Sequence, residues 1–233
     1  MGSLFGTDGV RGIANRGLDC PLAYNIGRAV AAIIAEGKDK KPLFLIGGDT
    51  RASTEMLSAA VSAGICSSGA DVIRLGVIPT PAVSYLVGKY RADAGIVISA
   101  SHNPFEYNGI KIFGADGKKL PDMLEDRIEA TVSGGAGELP SPVGEAVGNI
   151  RVSDKSSDDY IKHIIDSSEC SFDGIKVAVD CANGASSATA GEIFTKLGAT
   201  VSLINASPDG KNINTDCGST HIEALGAYVR ENR

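Results

Sequence analysis

The strongest constraint on the fold is a regular alternation of short apolar runs with longer segments in which apolar side chains recur at helical spacing. The short runs suit buried strands and the longer ones suit helices that cover a sheet, with glycine ending the first two helices. The strands are predicted at residues 43–46, 72–75 and 94–98, and the helices at residues 22–36, 54–68 and up to 89. Such an order predicts an α/β fold with a mainly parallel sheet flanked by helices.

The second part of the chain repeats the order found in the first. A strand, a helix and the motif Gly-Ala-x-Val occupy residues 43–72, and the same order recurs about 130 residues later at residues 177–201. A loose segment rich in glycine and proline lies between them at residues 133–142. The repeat predicts two consecutive domains of related topology, residues 1–152 and 153–233, each with a mixed, mainly parallel sheet.

Composition argues against several classes of protein. The chain of 233 residues is 43% hydrophobic and carries a formal net charge of −6, which argues against a general nucleic-acid binder. No apolar run reaches the roughly 18 to 20 residues of a membrane span, and the first residues lack the layout of a signal peptide. The five cysteines include no Cys-x-x-Cys pair, so we expect reduced thiols. These features predict a cytoplasmic protein with no nucleic-acid or membrane partner.

The most informative stretch for function is residues 94–104, in which an apolar strand stops abruptly at Asn-Pro. Ligands of α/β sheets bind outside the carboxyl ends of strands, so Ser101 and His102 are placed where chemistry is expected. Downstream, the Asn-Gly pair at 108–109 is typical of a tight turn, and a following strand would bring Lys111 back toward Ser101. The alternative interpretation is ordinary turn chemistry, with the serine hydroxyl bonded to local backbone and Lys111 solvated.

Two further segments carry groups suited to anions. Residues 6–12 combine three glycines, which let backbone N–H groups approach an anion, with the guanidinium of Arg11, which can hold phosphate oxygens. The alternative is a glycine-rich surface turn with a solvated arginine. Asp49 and Arg51 follow the first long apolar strand. They either help to order a site or serve as a capping carboxylate and a surface arginine.

Several motifs carry a resemblance to a known family. Residues 99–104 (SASHNP), with residues 108–111 (NGIK) downstream, resemble the phosphoserine loop of the α-D-phosphohexomutase superfamily. Residues 4–12 (LFGTDGVRG) resemble the amino terminus of its phosphoglucosamine mutase branch, and residues 208–214 (PDGKNIN) with 217–219 (CGS) are typical of the same branch. These motifs run along essentially the whole chain. In that superfamily the first three of four domains share one α/β topology.

The resemblance implies a mutase reaction. A phosphoserine at Ser101 would donate its phosphoryl group to a hexosamine 6-phosphate, giving bound glucosamine 1,6-bisphosphate, and would then recover the other phosphoryl group. Glucosamine 6-phosphate and glucosamine 1-phosphate would thereby interconvert. Matched by position, Ser101 is the phosphoryl carrier, Lys111 the general base, and His102 and Arg11 stabilise phosphoryl charge. The implied substrate contacts are Thr7, Asp8, Gly9 and Asn108.

The resemblance also implies Mg²⁺, held in this family by three aspartates of an Asp-Gly-Asp-x-Asp-Arg loop together with the phosphate on Ser101. That loop is expected shortly beyond Arg233, and residues 209–212 are no substitute because they lack the order of a calcium loop. The third and fourth domains, which contact the sugar and its distal phosphate, are expected beyond it as well. We therefore expect the full-length protein to be an intramolecular phosphotransferase and this chain alone to lack turnover.

Two alternatives stay open at this point. The chain could be half of a phosphomannomutase or phosphoglucomutase, since the residues that select the sugar lie mostly outside it. It could also be a non-catalytic dimerisation fragment, because bacterial members of the resembled family often form homodimers through the first domain. In every case except the last, the expected partner is a phosphorylated sugar.

Overall fold

The computed structural model describes residues 4–6, 9–134 and 139–232. Strands and helices alternate along the chain, as the apolar pattern predicted. The strands are β1 (Val10–Ile13), β2 (Leu43–Gly48), β3 (Asp71–Val77), β4 (Ala94–Ile98), β5 (Tyr107–Gly114), β6 (Ile150–Val152), β7 (Lys176–Asp180) and β8 (Thr200–Ile204). The helices are α1 (Cys20–Ala35), α2 (Thr54–Ser67), α3 (Thr80–Tyr90), α4 (Asp122–Ser133), α5 (Ser156–Asp166), α6 (Ala190–Lys196) and α7 (Glu223–Glu231). Within the described ranges, no helix combines the length and apolarity needed to cross a bilayer.

The first sheet has six strands in the order β1-β5-β4-β2-β3-β6. Strands β4, β2, β3 and β6 run parallel to one another, and β5 runs antiparallel to both of its neighbours, β4 and β1. All five residues of β4 are buried, because helices cover both faces of the sheet, and this burial explains its uniformly apolar sequence. The predicted α/β fold with a mixed, mainly parallel sheet is confirmed.

Two apolar cores lie on opposite faces of this sheet. Successive residues of β4 point to opposite sides, so Ile96 and Ile98 join the core beneath α1, α2 and α4, whereas Val97 joins the core beneath α3. The second core also takes in Ile161 of α5 and Ile193 of α6. It therefore continues from the first sheet into the later part of the chain.

Helices α1 and α2 approach each other at a pair of glycines. A Cβ atom on Gly27 would lie 2.4 Å from the carbonyl oxygen of Val61, and one on Gly64 would lie 2.1 Å from that of Tyr24. Neither contact is compatible with a larger side chain unless the helices separate. This close crossing fixes how α1 and α2 lie on the sheet.

The later part of the chain repeats the unit formed by β2, α2 and β3. Strands β7 and β8 pair in parallel, as β2 and β3 do, and α6 lies between them in sequence. Two residues before the second strand of each pair stands a glycine with positive φ, +90° at Gly69 and +100° at Gly198. The repeated unit predicted from the sequence is present in the structure.

The predicted tight turn at Asn108-Gly109 is wrong. Both residues lie inside β5, where Asn108 pairs with Gly12 and Gly109 pairs with Arg11 of β1. The chain reverses earlier, in the loop at residues 99–106 that joins β4 to β5. The hairpin itself is confirmed, because these two strands pair antiparallel.

Gly109 is needed for a close approach of backbone rather than for a turn. A Cβ atom at this position would lie 2.7 Å from the carbonyl oxygen of Ser99 and 2.9 Å from that of Val10. Glycine in a strand interior often marks such an approach. The glycine of the Asn-Gly pair is therefore explained by tight packing between three neighbouring strands and not by a turn.

Candidate active site

The loop at residues 99–106, called here the Ser101 loop, presents Ser101 at the carboxyl end of β4. Ser101 is exposed and has φ = 57°, in the left-handed region that serine rarely adopts. Its backbone N–H donates to the Oγ of Ser99 at 3.1 Å. Among the described residues, the Ser101 hydroxyl makes no hydrogen bond of its own. The hydroxyl is thus offered at the surface and does not close the turn.

Arg51 holds the backbone of the Ser101 loop. Although it follows the end of β2, this residue is only 2% exposed. Its guanidinium donates to the carbonyl oxygens of Ser101 and Asn103, both at 2.9 Å, and to that of Tyr107 at 3.0 Å. It also donates to the carbonyl of Pro104. One planar fork therefore fixes the path of the loop, and it counters the cost of the left-handed residue, which is of order 1 to 3 kcal/mol.

Asp49 supports the same loop through Arg51 and Ser99. Its Oδ2 accepts from Nε of Arg51 at 2.9 Å and from the hydroxyl of Ser99 at 2.6 Å. Its Oδ1 accepts from the hydroxyl of Thr54 at 3.0 Å. The carboxylate is 5% exposed and fully hydrogen-bonded, as a buried ion pair requires. Arg51 is therefore not a surface arginine, and the two residues together order the Ser101 loop.

Asn108 lies beneath the Ser101 loop with a relative exposure of 0%. Its amide nitrogen donates to the hydroxyls of Ser53 and Thr54 at 2.9 and 3.2 Å, and its amide oxygen accepts from the N–H of Gly109 at 2.9 Å. All of these bonds are internal to the protein. They favour a bracing role for Asn108 over the expected contact with a substrate.

The register of β1, β5 and β4 brings the predicted cationic residues toward the Ser101 loop. Arg11 lies opposite Gly109, and the N–H of Ser99 donates to the carbonyl of Gly109 at 3.0 Å. Arg11 and the start of the loop therefore share one row across the sheet. Lys111 lies two residues further along β5, opposite Val97. Because alternate residues of a strand share a face, Arg11 and Lys111 project from the same side of the sheet.

Gly9 packs against the strand that carries Lys111. It has φ = +89°, and a Cβ atom there would lie 2.4 Å from the carbonyl oxygen of Ile110, so only glycine fits. Gly9 and Lys111 both line a small cavity of about 120 Å³. The other two predicted substrate contacts in this segment, Thr7 and Asp8, lie outside the described residues.

His102 faces a different and wider cleft of about 610 Å³. The opposite wall of this cleft belongs to residues 211–221 and includes Lys211 and His221. Lys111 instead lines the small cavity described above. The structure thus places Gly9 and Lys111 at one opening and His102 at another.

A segment that follows β8, residues 205–218, reaches the Ser101 loop from the second sheet. The amide nitrogen of Asn214 donates to the carbonyl oxygens of Ser101 at 2.9 Å and of Asn103 at 3.0 Å. Sequence reasoning gave Asn214 no role, although it lies in the motif PDGKNIN that carried part of the family resemblance. Its place after a parallel strand was the only other signal available.

Asp180, the last residue of β7, shapes the 205–218 segment. Its Oδ1 accepts from the N–H of Ala182 at 2.9 Å and from the amide of Asn205 at 3.1 Å. Its Oδ2 accepts from the N–H of Gly218 at 2.8 Å. A single carboxylate therefore joins the loop after β7 to both ends of the 205–218 segment.

Residues other than glycine that have a left-handed backbone are concentrated at the carboxyl edges of the two sheets. Such conformations are costly and persist where the surrounding structure enforces them, which is common at functional sites. The residues concerned are Ser101, Ala182, Asn183, Asn205, Asn214 and Asp216. Their clustering supports the carboxyl edges of the two sheets as the candidate site.

Burial sets the protonation of two cysteines at the same edge. It raises the pKa of the Cys181 and Cys217 thiols, and the nearby charge of Asp180 raises both further. Neutral, buried thiols are poor nucleophiles and poor metal ligands. All five cysteines are free, which agrees with the expectation of reduced thiols.

The described residues do not assemble a metal site. Nowhere in this part of the chain do three histidine, cysteine, aspartate or glutamate side chains gather in a way that could hold an ion. The three aspartates that the family resemblance implies for Mg²⁺ therefore have no counterpart of this kind among the described residues.

Fold and site together define an α/β protein whose candidate site lies at the carboxyl edge of a mainly parallel sheet. Residues 2–136 match the family model described as phosphoglucomutase/phosphomannomutase, alpha/beta/alpha domain I. Because the match covers more than half of the chain, the chain belongs to the phosphoglucomutase/phosphomannomutase family. The family predicted from the sequence motifs is confirmed.

Individual relatives narrow the comparison. The chain is 53% identical over 231 residues to a phosphoglucosamine mutase of Ruminiclostridium cellulolyticum, and the aligned region covers 99% of this chain and 51% of that protein. It is 53% identical over 229 residues to a phosphoglucosamine mutase of Clostridium novyi, with 98% and 51% covered. A crystal structure of a phosphoglucomutase/phosphomannomutase family protein from Burkholderia thailandensis superposes with a TM-score of 0.81 at 25% identity, covering 98% of this chain and 49% of that one. The chain spans about half the length of the curated relatives it matches.

Proposed function

We propose that this chain forms the amino-terminal half of a phosphoglucosamine mutase in which Ser101 carries the transferred phosphoryl group. The identity of 53% to two phosphoglucosamine mutases, across almost the whole chain, supports the branch of the family. One structural observation carries the choice of residue. Ser101 is exposed and follows the end of a buried strand. The guanidinium of Arg51 fixes its backbone by donating to the carbonyl oxygen of Ser101 at 2.9 Å.

The proposed reaction consists of two phosphoryl transfers. In the first, the bond between phosphorus and the Ser101 oxygen breaks, and a new bond forms to the free hydroxyl of a hexosamine phosphate, giving glucosamine 1,6-bisphosphate. In the second, the other phosphoryl group of this intermediate returns to Ser101. The enzyme is a phosphoserine before and after the cycle, so glucosamine 6-phosphate and glucosamine 1-phosphate interconvert without a net change in phosphate. Positioning and charge neutralisation supply most of the acceleration in reactions of this kind.

The side chains around the loop suit this chemistry. A phosphoserine carries about −1.5 to −2 charges near pH 7 and needs cations close by. Arg11 and Lys111 project from one face of the sheet, Arg11 in the same row as Ser99 at the start of the loop, and His102 follows Ser101 directly. We assign stabilisation of the phosphoryl group to Arg11 and His102, and acceptance of the sugar hydroxyl proton to Lys111. Gly9 lines the same small cavity as Lys111 and stays a proposed substrate contact together with Thr7 and Asp8.

The same proposal covers the organisation of the chain. Residues 1–152 form the domain with the phosphoserine loop, and residues 153–233 begin a second domain of related topology. The relatives that support the function are about twice as long as this chain, so turnover is proposed for the full-length protein and not for this chain alone. The proposed location is the cytoplasm, where the sugar phosphate substrate would be available.

A second candidate differs only in the sugar. The similarity to the Burkholderia thailandensis structure, with a TM-score of 0.81, is compatible with half of a phosphomannomutase or phosphoglucomutase. The lower identity of 25% makes this the weaker candidate. Initial rates of the full-length protein on glucosamine, mannose and glucose 6-phosphates separate the two. A homodimer through the first domain stays a prediction, and sedimentation equilibrium of the chain tests it.

The decisive experiment is phosphopeptide mapping of the full-length protein after incubation with a hexose 1,6-bisphosphate. We expect phosphate on Ser101, and we expect Ser101→Ala to abolish both the modification and the mutase activity. Ser133→Ala provides a matched control, because this serine is exposed at the end of α4 and is not part of the Ser101 loop. Phosphate found only on another residue, with Ser101→Ala still active, would remove the proposal.

A further inference from the structure

Two carbonyl oxygens of the Ser101 loop each accept hydrogen bonds from two different side chains. The carbonyl of Ser101 accepts from Arg51 and from Asn214, both at 2.9 Å. The carbonyl of Asn103 accepts from Arg51 at 2.9 Å and from Asn214 at 3.0 Å. A carbonyl oxygen has two lone pairs, so both acceptors are fully used. The loop is thus held from the first sheet by an arginine and from the second sheet by an asparagine.

Asn214 is itself rigidly placed. Its backbone has φ = 59°, and its N–H donates to the carbonyl of Ala182 at 3.0 Å. The neighbouring Ile213 is only 3% exposed, and Asp180 anchors the far end of the same segment through the N–H of Gly218 at 2.8 Å. The amide of Asn214 therefore acts from a fixed backbone and not from a free surface loop.

Other hydrogen bonds hold the two parts of the chain together beside this one. The hydroxyl of Thr50 donates to the carbonyl of Asn183 at 2.6 Å, and the N–H of Ala52 donates to the carbonyl of Gly210 at 2.9 Å. The docking of the 205–218 segment consequently does not depend on the Asn214 side chain alone. Substitution of Asn214 removes two hydrogen bonds to the Ser101 loop while these two contacts stay in place.

From this arrangement we propose that Asn214 is a positioning residue for phosphoryl transfer, acting from the second sheet through the backbone of the Ser101 loop. This proposal rests on the proposed function, because the position of Ser101 matters for catalysis only if Ser101 carries the phosphoryl group. A left-handed residue directs its side chain by the orientation of its own peptide planes, and Asn214 fixes the plane that follows Ser101. A neutral amide achieves this without adding charge beside a phosphoserine, whereas a lysine or an aspartate would add one.

The physical consequence is a loop whose reacting oxygen stays in one place through both transfers. Misplacement of a reacting group by about 1 Å can cost on the order of a hundredfold in rate. Arg51 alone would still satisfy the carbonyls of Ser101 and Asn103, so loss of Asn214 should loosen the loop without unfolding it. We therefore expect the effect in the rate of transfer and not in the stability of the chain.

Hydrogen exchange on this chain tests the structural half of the proposal without any mutase assay. The variants are Asn214→Gly, which keeps the left-handed backbone, and Asn214→Asp, which keeps the size but loses the donor. We expect amide exchange in residues 100–107 to be about tenfold faster in both variants, because the two lost hydrogen bonds leave both carbonyls still bonded to Arg51. Asp216→Gly is the matched control, because Asp216 also has positive φ, at 51°, and makes no hydrogen bond to the loop among the described residues. It should leave exchange in residues 100–107 at the wild-type rate.

Kinetics of the full-length protein test the functional half. We expect Asn214→Gly to lower kcat by about ten- to a hundredfold, with KM for the sugar phosphate and the melting temperature close to wild type. Unchanged exchange in residues 100–107 overturns the proposal, and so does a fall in kcat that merely follows a fall in melting temperature. Failure of the proposed function would look different. In that case Ser101 would carry no phosphate in the wild-type protein, whatever the exchange rates of the Asn214 variants.

Discussion

Asp49 and Asp180 form the same kind of turn at the carboxyl end of the first strand in each of the two parallel strand pairs. Asp49 follows β2 directly and accepts from the N–H of Arg51 at 3.1 Å, and Asp180 ends β7 and accepts from the N–H of Ala182 at 2.9 Å. Each aspartate turns the chain at the carboxyl end of its strand by bonding to the backbone two residues on. Both strand pairs therefore have a loop-forming carboxylate, and the two loops that result meet where the hydroxyl of Thr50 donates to the carbonyl of Asn183 at 2.6 Å.

The buried pair of Arg51 and Asp49 leads to a prediction about stability. Replacing Arg51 with alanine leaves a carboxylate of 5% exposure without its cation, together with backbone carbonyls that lose a donor. Breaking a buried pair by removing one partner costs about 3 to 5 kcal/mol. We expect Arg51→Ala to lower the free energy of unfolding by that amount in urea titrations.

A second ion pair provides the control for Arg51→Ala. Arg74 pairs with Glu55, whose side chain is 70% exposed, and solvated pairs of this kind contribute about 0 to 1 kcal/mol. Arg74→Ala should therefore change the free energy of unfolding only slightly. Equal effects of the two substitutions would contradict the structural role given to Arg51.

The main elements of the fold could be predicted from the sequence because burial leaves a local record. The strands at the centre of the sheet are uniformly apolar, as in β4, and the helices carry apolar residues at helical spacing. The Asn-Gly pair at residues 108–109 misled the prediction for a physical reason. A turn signal is local, whereas Gly109 is required by backbone oxygens of Ser99 and Val10, which lie on neighbouring strands.

The candidate site could be predicted only in part. Ser101 and His102 are visible in the sequence because they stand next to each other at a strand end. The hydrogen bonds of Arg51 and Asn214 to the Ser101 loop join residues separated by 50 and 113 positions. Periodicity in the sequence does not reveal such pairings, because they arise only when folding brings together loops at the carboxyl ends of different strands.

The glycine pair between α1 and α2 predicts a steric effect. A methyl group on Gly64 would lie 2.1 Å from the carbonyl oxygen of Tyr24, and overpacking of this kind costs about 1 to 3 kcal/mol. We expect Gly64→Ala to lower the urea midpoint accordingly. Gly88→Ala is the matched control, since Gly88 lies in α3 with no atom within 4 Å of the added methyl group.

The control variant Gly88→Ala should change the free energy of unfolding in the opposite direction. Alanine reduces the conformational entropy of the unfolded chain, so Gly88→Ala should stabilise the protein by about 0.4 to 1 kcal/mol. Opposite shifts of the two variants support the close crossing of α1 and α2. A stabilising effect of Gly64→Ala would show that the two helices are not in contact there.

The cysteines predict an order of chemical labelling. Cys170 is exposed, whereas Cys66, Cys181 and Cys217 are buried. Burial raises the pKa of these three thiols, so little thiolate is available to react. We expect iodoacetamide at neutral pH to modify Cys170 first and to reach the three buried thiols only after denaturation, as followed by peptide mass spectrometry. Rapid labelling of Cys181 in the folded chain would contradict the packing of the second sheet.

Asp209 predicts a pH dependence that can be checked in the acid range. Its carboxylate accepts from the N–H groups of Lys211 at 2.7 Å and Asn212 at 2.8 Å, and these bonds lower its pKa below the ordinary value. A pKa that is lower in the folded state gives stability that is fully present above the unfolded value, near 4, and is lost as the pH falls through the folded value. Asp209→Ala should therefore destabilise the chain at neutral pH, and the difference from wild type should shrink as the pH falls below about 4. Urea midpoints measured across this range provide the test, with Asp209→Asn as a control that keeps an acceptor oxygen but does not titrate. A difference that stays constant or grows on acidification would show that the charged carboxylate does not stabilise this turn.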